Sequence, residues 1–223
     1  MKTRIAIDGP AGAGKSTVAR AVAKKLGLAY LDTGAMYRAV TLAALRKKAN
    51  LYDNKVLESL TAGLVIDIKS AEDGQNIIYL NGEDVTAAIR LPEVSRHVSI
   101  VARCAEVREI LVQKQKEIGR RGNIVMDGRD IGTNVMPDAE YKIFLTASLE
   151  ERARRRMFEL REKGEHIELE QMIKEIEARD KIDTERECSP LRQADDAILV
   201  DTTNMTIAEV VDKIVDIVAG RKD

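Results

Sequence analysis

The chain has 223 residues, 44% of them hydrophobic, and its 36 basic and 37 acidic side chains leave a formal net charge of −1. That length fits one domain with a full core, and the balanced charge excludes a global positive field that gathers nucleic acid or anionic membrane, so any polyanion site is local. No apolar run approaches the roughly 20 residues of a membrane span, and the isolated pairs Cys104/Cys188 and His97/His166 exclude a disulfide framework, a four-ligand zinc site and HExxH metal chemistry.

Met1-Lys-Thr-Arg leads straight into a short apolar segment without a signal-peptide core, which predicts a cytoplasmic protein. Residues Arg4 to Asp8 read as a strand and Lys15 to Leu26 as a helix. Between them stands Gly9-Pro10-Ala11-Gly12-Ala13-Gly14-Lys15-Ser16, followed by Thr17, a match to G-x-x-x-x-G-K-[ST] in the strand-turn-helix context that the pattern requires. Glycines let such a loop turn its N–H groups inward around an anion, and the next helix presents its positive end. Lys15 is expected to reach the β and γ phosphates, and the Ser16 hydroxyl to ligate Mg²⁺. A guanine-selective protein is expected to carry N/T-K-x-D, and Asn54-Lys55-Val56-Leu57 lacks the Asp. ATP is therefore the expected nucleotide.

A second strand, Ala29 to Asp32, runs into a helix read from Ala35 to Lys47. Asp32 or Thr33 is positioned to cap it, and Arg38 lies one turn inside. From about Leu64 to Thr86 the texture changes to short β-prone pieces joined by Asp-Gly and Asn-Gly, the mark of a small antiparallel insertion. A helix from Glu106 to Ile118 precedes the strand Ile124 to Asp127, which ends in Asp127-Gly-Arg-Asp130. An internal salt bridge is the plain reading of that cluster. In the functional reading Asp127 serves Mg²⁺, directly or through water, and Arg129 meets a phosphoryl oxygen.

After the strand Tyr141 to Thr146 and a helix from Leu149 to Lys163, the segment Glu150 to Glu187 holds 13 acidic and 10 basic residues out of 38. So polar a stretch is expected to form helices that stand out from the domain and move. Spacing puts Arg179, Asp183 and Arg186 on one helical face, either as a solvated ion-pair ladder or, with Arg152, Arg155 and Arg156, as a lid over phosphates. A strand Ile198 to Asp201 and a helix Ile207 to Val218 close the alternation, which calls for an α/β layered domain with a parallel sheet.

In order along the chain stand "IDGPAGAGKST" (Ile7 to Thr17), "DTGAMYR" (Asp32 to Arg38), "NGEDVTAAIR" (Asn81 to Arg90), "DGRDIGT" (Asp127 to Thr133), "ERARRRM" (Glu151 to Met157) and "ARDKIDTER" (Ala178 to Arg186). With these motifs the sequence resembles, over essentially its whole length, the bacterial cytidylate kinases among the nucleoside monophosphate kinases. Thr33 stands where that family often has Ser, which keeps the hydroxyl. The resemblance implies a P-loop NTPase fold with a five-stranded parallel sheet flanked by helices. It implies one domain, with a core at about 1–60, 91–150 and 188–223, a monophosphate-binding insertion at 61–90 and a short helical lid at 151–187.

The implied reaction is phosphoryl transfer from ATP to CMP or dCMP with Mg²⁺. Lys15, Arg129, Arg156 and Arg179 are then the groups acting on the transferring phosphoryl. By the same analogy Thr33, Arg38, Arg129 and Arg186 lie near the acceptor's phosphate or the transferring group, Arg179 and Asp183 near its sugar, and Ser99, Arg108 and Asp130 against cytosine. Hydrogen-bond chemistry agrees with that last group. Cytosine offers an amino donor at N4 and acceptors at N3 and O2, which suit a carboxylate and a guanidinium. The expected partners are small-molecule nucleotides, with no nucleic acid, membrane or protein partner. A kinase for AMP, UMP or shikimate, and a nucleotide-dependent binding switch, share the phosphate loop and are separated from this reading by a substrate panel.

Overall fold

The computed structural model describes residues 2–162 and 164–220. Five strands, β1 (Arg4–Asp8), β2 (Ala29–Asp32), β6 (Ile124–Gly128), β7 (Tyr141–Thr146) and β8 (Ile198–Asp201), pair in parallel in the order β2-β6-β1-β7-β8. The central strands β1 and β6 bury nearly every residue, as expected of strands covered on both faces by helices. Around them lie α1 (Lys15–Leu26), α2 (Thr33–Arg46), α5 (Ala105–Arg120) and α8 (Ile207–Val218).

Helix α3 (Asn54–Ala62) was not expected from the sequence, and α4 (Pro92–Arg103), which carries Ser99, was expected without bounds. The Asp53 carboxylate caps α3 by accepting from the Val56 N–H, and α4 opens on a proline, which loses nothing at a first turn whose N–H has no partner. Helix α2 begins at Thr33, two residues before the expected Ala35, because Asp32 is the residue that caps it, its carboxylate 3.0 Å from the Ala35 N–H. The insertion is as expected a small antiparallel sheet of β3 (Ile66–Ser70), β4 (Asn76–Leu80) and β5 (Glu83–Asp84).

The polar segment corrects the expectation that its helices stand out. Helices α6 (Leu149–Arg161) and α7 (Leu169–Glu185) close on each other around Ala153, Leu160, Met172 and Ile176, and the phosphate-loop residue Ala11 completes that cluster. Arg152, Asp183 and Arg186 are buried. Arg186 also lies beyond the end of α7, on extended backbone, so it shares no helical face with Arg179 and Asp183. The predicted helix end at Lys163 lies outside the described residues.

The apolar interior among the described residues comes as four separate clusters: one under α2 to α5 and the insertion, one around β1, α1 and α8, one beside β6, and the small one under α6 and α7. No described helix is long and apolar enough to cross a membrane.

Candidate active site

The carboxyl ends of β1, β2 and β6 meet at one edge of the sheet, and the loops leaving them carry most of the residues singled out in the sequence. After β1 the chain turns at Gly9 with φ of 151°, where a Cβ would stand 2.0 Å from the Leu145 carbonyl oxygen. Only glycine fits. Beyond it Pro10 offers its carbonyl to the Lys15 ammonium at 2.7 Å, and Ala11, Gly12, Gly14, Ser16 and Thr17 face a cavity of about 430 Å³. Ala13 is buried beneath the turn. Burial, with Arg129 adding to it, pushes the Lys15 amine well below its usual range.

Asp127, at the end of β6, is the hub of the site. Its Oδ2 accepts from the Ser16 hydroxyl and its Oδ1 from the Tyr30 hydroxyl, both at 2.8 Å, while its carbonyl accepts from the Thr33 hydroxyl at 2.7 Å. The next residue is glycine because a Cβ there would stand 2.7 Å from the Thr33 oxygen. Burial pushes the Asp127 acid up to about 7, the nearby Asp32 adds to it, and Lys15 opposes it. A buried carboxylate beside a hydroxyl is a hard oxygen set of the kind Mg²⁺ takes, and these two groups fit that ion. Among the described residues no group of three or more His, Cys, Asp or Glu side chains is placed to hold a metal.

Six cations line the cavity: Lys15, Arg38, Arg90, Arg129, Arg156 and Arg179. Arg38 donates to the Ser95 hydroxyl at 2.8 Å, and burial lowers its guanidinium to about 10. Arg156 reaches the same hydroxyl at 3.4 Å and pairs with Glu159 at 2.8 Å. Arg179 has a buried Nε without a partner, and burial together with Arg129 and Arg38 brings it down to about 9. Burial works against the charge of Arg129 as well, but Asp183 at 2.9 Å outweighs it and holds the guanidinium above its ordinary range. Asp32, Asp127, Glu159 and Glu162 also line the cavity, so six cations face four carboxylates, and the excess of positive charge suits an anion.

A narrower pocket of about 60 Å³ adjoins it. Thr33, Arg38, Ser99, Arg108, Arg129, Asp130, Arg179, Asp183 and Arg186 all line it, so the nine residues expected around an acceptor nucleotide converge on one place. Arg108 and Asp130, expected to present separate faces to a base, are instead joined at 2.5 Å, with Arg186 3.6 Å from the other Asp130 oxygen. Buried charges without a ligand pair with each other. The pocket has room for a few waters, and a base entering it has to part that pair or slide over it.

Several contributors escaped the sequence reading. Asp8 accepts from the N–H groups of Ile131 and Gly132 at 2.8 and 2.7 Å and so holds the wide turn that follows Arg129 and Asp130, at the cost of burial that lifts its acid to about 6. Asp180 accepts from the Ala11 N–H at 3.0 Å and pairs with Arg152, whose guanidinium also donates to the Ala11 and Ala147 carbonyls. A carboxylate ending a buried strand was a signal for Asp8. Tyr30, Asn76, Ser95 and Asp180 carried none.

Residues 5–220 match the family model described as cytidylate kinase. Curated cytidylate kinases of Bacillus velezensis and Bacillus pumilus are 56% identical over 217 residues and 55% identical over 215 residues, covering 97% and 96% of this chain and 96% and 95% of theirs. Among solved structures, a shikimate kinase of Bacteroides thetaiotaomicron aligns with a TM-score of 0.51 at 14% identity, over 98% of this chain and 99% of that one. An uncharacterized protein of Eubacterium ventriosum aligns at 0.54 and 13%, over 99% of this chain and all of that one. At those identities the likeness concerns the fold alone.

Proposed function

The chain belongs to the cytidylate kinase family, and from that premise we propose that it transfers the γ-phosphoryl group of ATP to CMP or dCMP with Mg²⁺, giving ADP and CDP or dCDP. The observation that carries the proposal is the convergence of nine acceptor-type side chains in the pocket next to the phosphate loop. The loop of residues 9–17 cradles the ATP phosphates through N–H groups other than those of Pro10, which has none, and Ala11, which donates to Asp180, with Lys15 reaching the β and γ phosphates. Ser16, and Asp127 directly or through water, would hold Mg²⁺, which would supply neutralisation of the charge developing on the phosphates.

The acceptor's phosphate is held by Thr33, Arg38, Arg129 and Arg186, its sugar by Arg179 and Asp183, and cytosine by Ser99, Arg108 and Asp130. Uracil sets an oxygen where cytosine sets an amino group, so it faces the Asp130 carboxylate with the wrong polarity and leaves buried groups unpaired. The attacking atom is already an anionic phosphate oxygen, so no general base is required. Rate comes from aligning two phosphates and neutralising the transferring group with Lys15, Arg129, Arg156 and Arg179. Residues 61–90 serve as the acceptor insertion, and residues 151–187 as a lid whose closure keeps water from the phosphoryl group. The enzyme acts on small molecules in the cytoplasm.

The test follows ADP formation with ATP and Mg²⁺ against CMP, dCMP, UMP, AMP and no acceptor. CMP and dCMP well above the others is the expected result. A different preferred acceptor removes the base contacts, and ATP binding without any transfer removes the kinase reading.

A further inference from the structure

Asn76 opens strand β4 of the insertion, yet its side chain belongs to the parallel sheet. It is 3% exposed. Its Oδ1 accepts from the Asp32 N–H at 2.7 Å and its Nδ2 donates to the Tyr30 carbonyl at 2.9 Å. Tyr30 and Asp32 lie on β2, the outermost strand on that side of the sheet, and these main-chain groups are the ones a further strand would pair with. One side-chain amide thus stands in for a neighbouring peptide. Both residues it grips lead into the site: Asp32 caps α2, which carries Thr33 and Arg38, and the Tyr30 hydroxyl holds Asp127.

We propose that Asn76 is a positioning residue through which the insertion sets the acceptor site, acting on CMP by way of Asp32 and the start of α2. The bond to the Asp32 N–H fixes the backbone from which that carboxylate caps the helix. Without it the first turn of α2 loses its anchor, and Thr33 and Arg38 lose their aim at the acceptor's phosphate. Tyr30 stays held at its ring and hydroxyl, so Asp127 and the ATP side are affected less. This inference rests on the reading of CMP as acceptor.

The test compares Asn76→Ala and Asn76→Asp with the unaltered protein in KM for CMP, KM for ATP, kcat and thermal unfolding. Asn76→Ala is expected to raise KM for CMP about tenfold, with KM for ATP changing less than about twofold. Asn76→Asp keeps the acceptor for the Asp32 N–H but, when ionised, loses the donor to the Tyr30 carbonyl. It is expected to restore KM for CMP to within about threefold of the unaltered protein while unfolding earlier. A purely structural residue lowers the unfolding temperature in both variants and leaves KM for CMP where it was, which overturns the proposal. So do equal rises in KM for CMP and ATP, and so does failure of both variants to fold. Unaltered protein that binds ATP but transfers nothing to CMP refutes the proposed function itself, whereas normal transfer with unchanged variants refutes only the role of Asn76.

Discussion

The Asp130 carboxylate lies 2.5 Å from the Arg108 guanidinium, and both side chains are almost wholly out of water. Replacing Asp130 with Asn keeps the shape but leaves Arg108 without its counter-charge and with the like-charged Arg186 close by. The ratio of kcat/KM for CMP over UMP is expected to fall about 10- to 100-fold. Stability is expected to fall by about 3 kcal/mol, because breaking a buried pair strands a charge. Parallel kinetics on the two monophosphates checks this, and an unchanged preference removes Asp130 from base selection.

Lys15 separates activity from stability in the opposite sense. Burial already disfavours its charged form, so Lys15→Met removes a costly cation while keeping most of the stem. Turnover is expected to drop about 10²- to 10³-fold. The melting temperature is expected to hold or rise. Calorimetry beside a rate assay reads both, and near-normal turnover contradicts the assignment.

Asp8 predicts a pH dependence. Its acid is raised from an ordinary 3.8 to about 6 in the folded protein, mainly by burial. Between those values the folded state holds a proton that the unfolded state has released, so this group adds stability below about pH 4 and loses it as pH rises through about 6. Relative to Asp8→Asn, the unaltered protein is expected to lose up to about 1.4 kcal/mol per pH unit on going from pH 4 to 6. Urea unfolding of both proteins across that range measures the difference, and parallel curves overturn it.

Asp180 and Arg152 grip the same loop residue, Ala11, from its N–H and its carbonyl. Asp180→Ala frees the loop amide and leaves Arg152, 8% exposed, with carbonyl partners only. A loss of up to about 3 kcal/mol is expected, with KM for ATP rising more than KM for CMP. Equal changes in the two KM values place the effect elsewhere.

Strands β1, β2, β7 and β8 begin and end where the sequence predicts them, and β6 continues one residue further to Gly128. Buried parallel strands are continuous apolar runs bounded by loops, so little else competes with that reading. Helix α3 and the bounds of α4 went unread although Asp53 and Pro92 marked their starts. The phosphate loop was legible because one short segment holds all its chemistry. Ser99 and Arg108 were reached only through resemblance, since either residue alone reads as an ordinary helix surface. Asp8, Asn76 and Asp180 act through contacts with segments distant in the chain, such as Asp8 with Ile131 and Ala11 with Asp180, and no local pattern encodes such a meeting. The charged segment misled for a related reason: its arginines and aspartates neutralise one another inside, where a count of polar residues predicts solvent.

The small apolar cluster under α6 and α7 includes Ala11, a residue of the phosphate loop rather than of either helix. Amide hydrogens along α6 and α7 are therefore expected to exchange with solvent through an opening that also loosens the loop, with β1 and β6 protected for longer. A nucleotide that slows exchange in the loop is expected to slow it in the two helices as well.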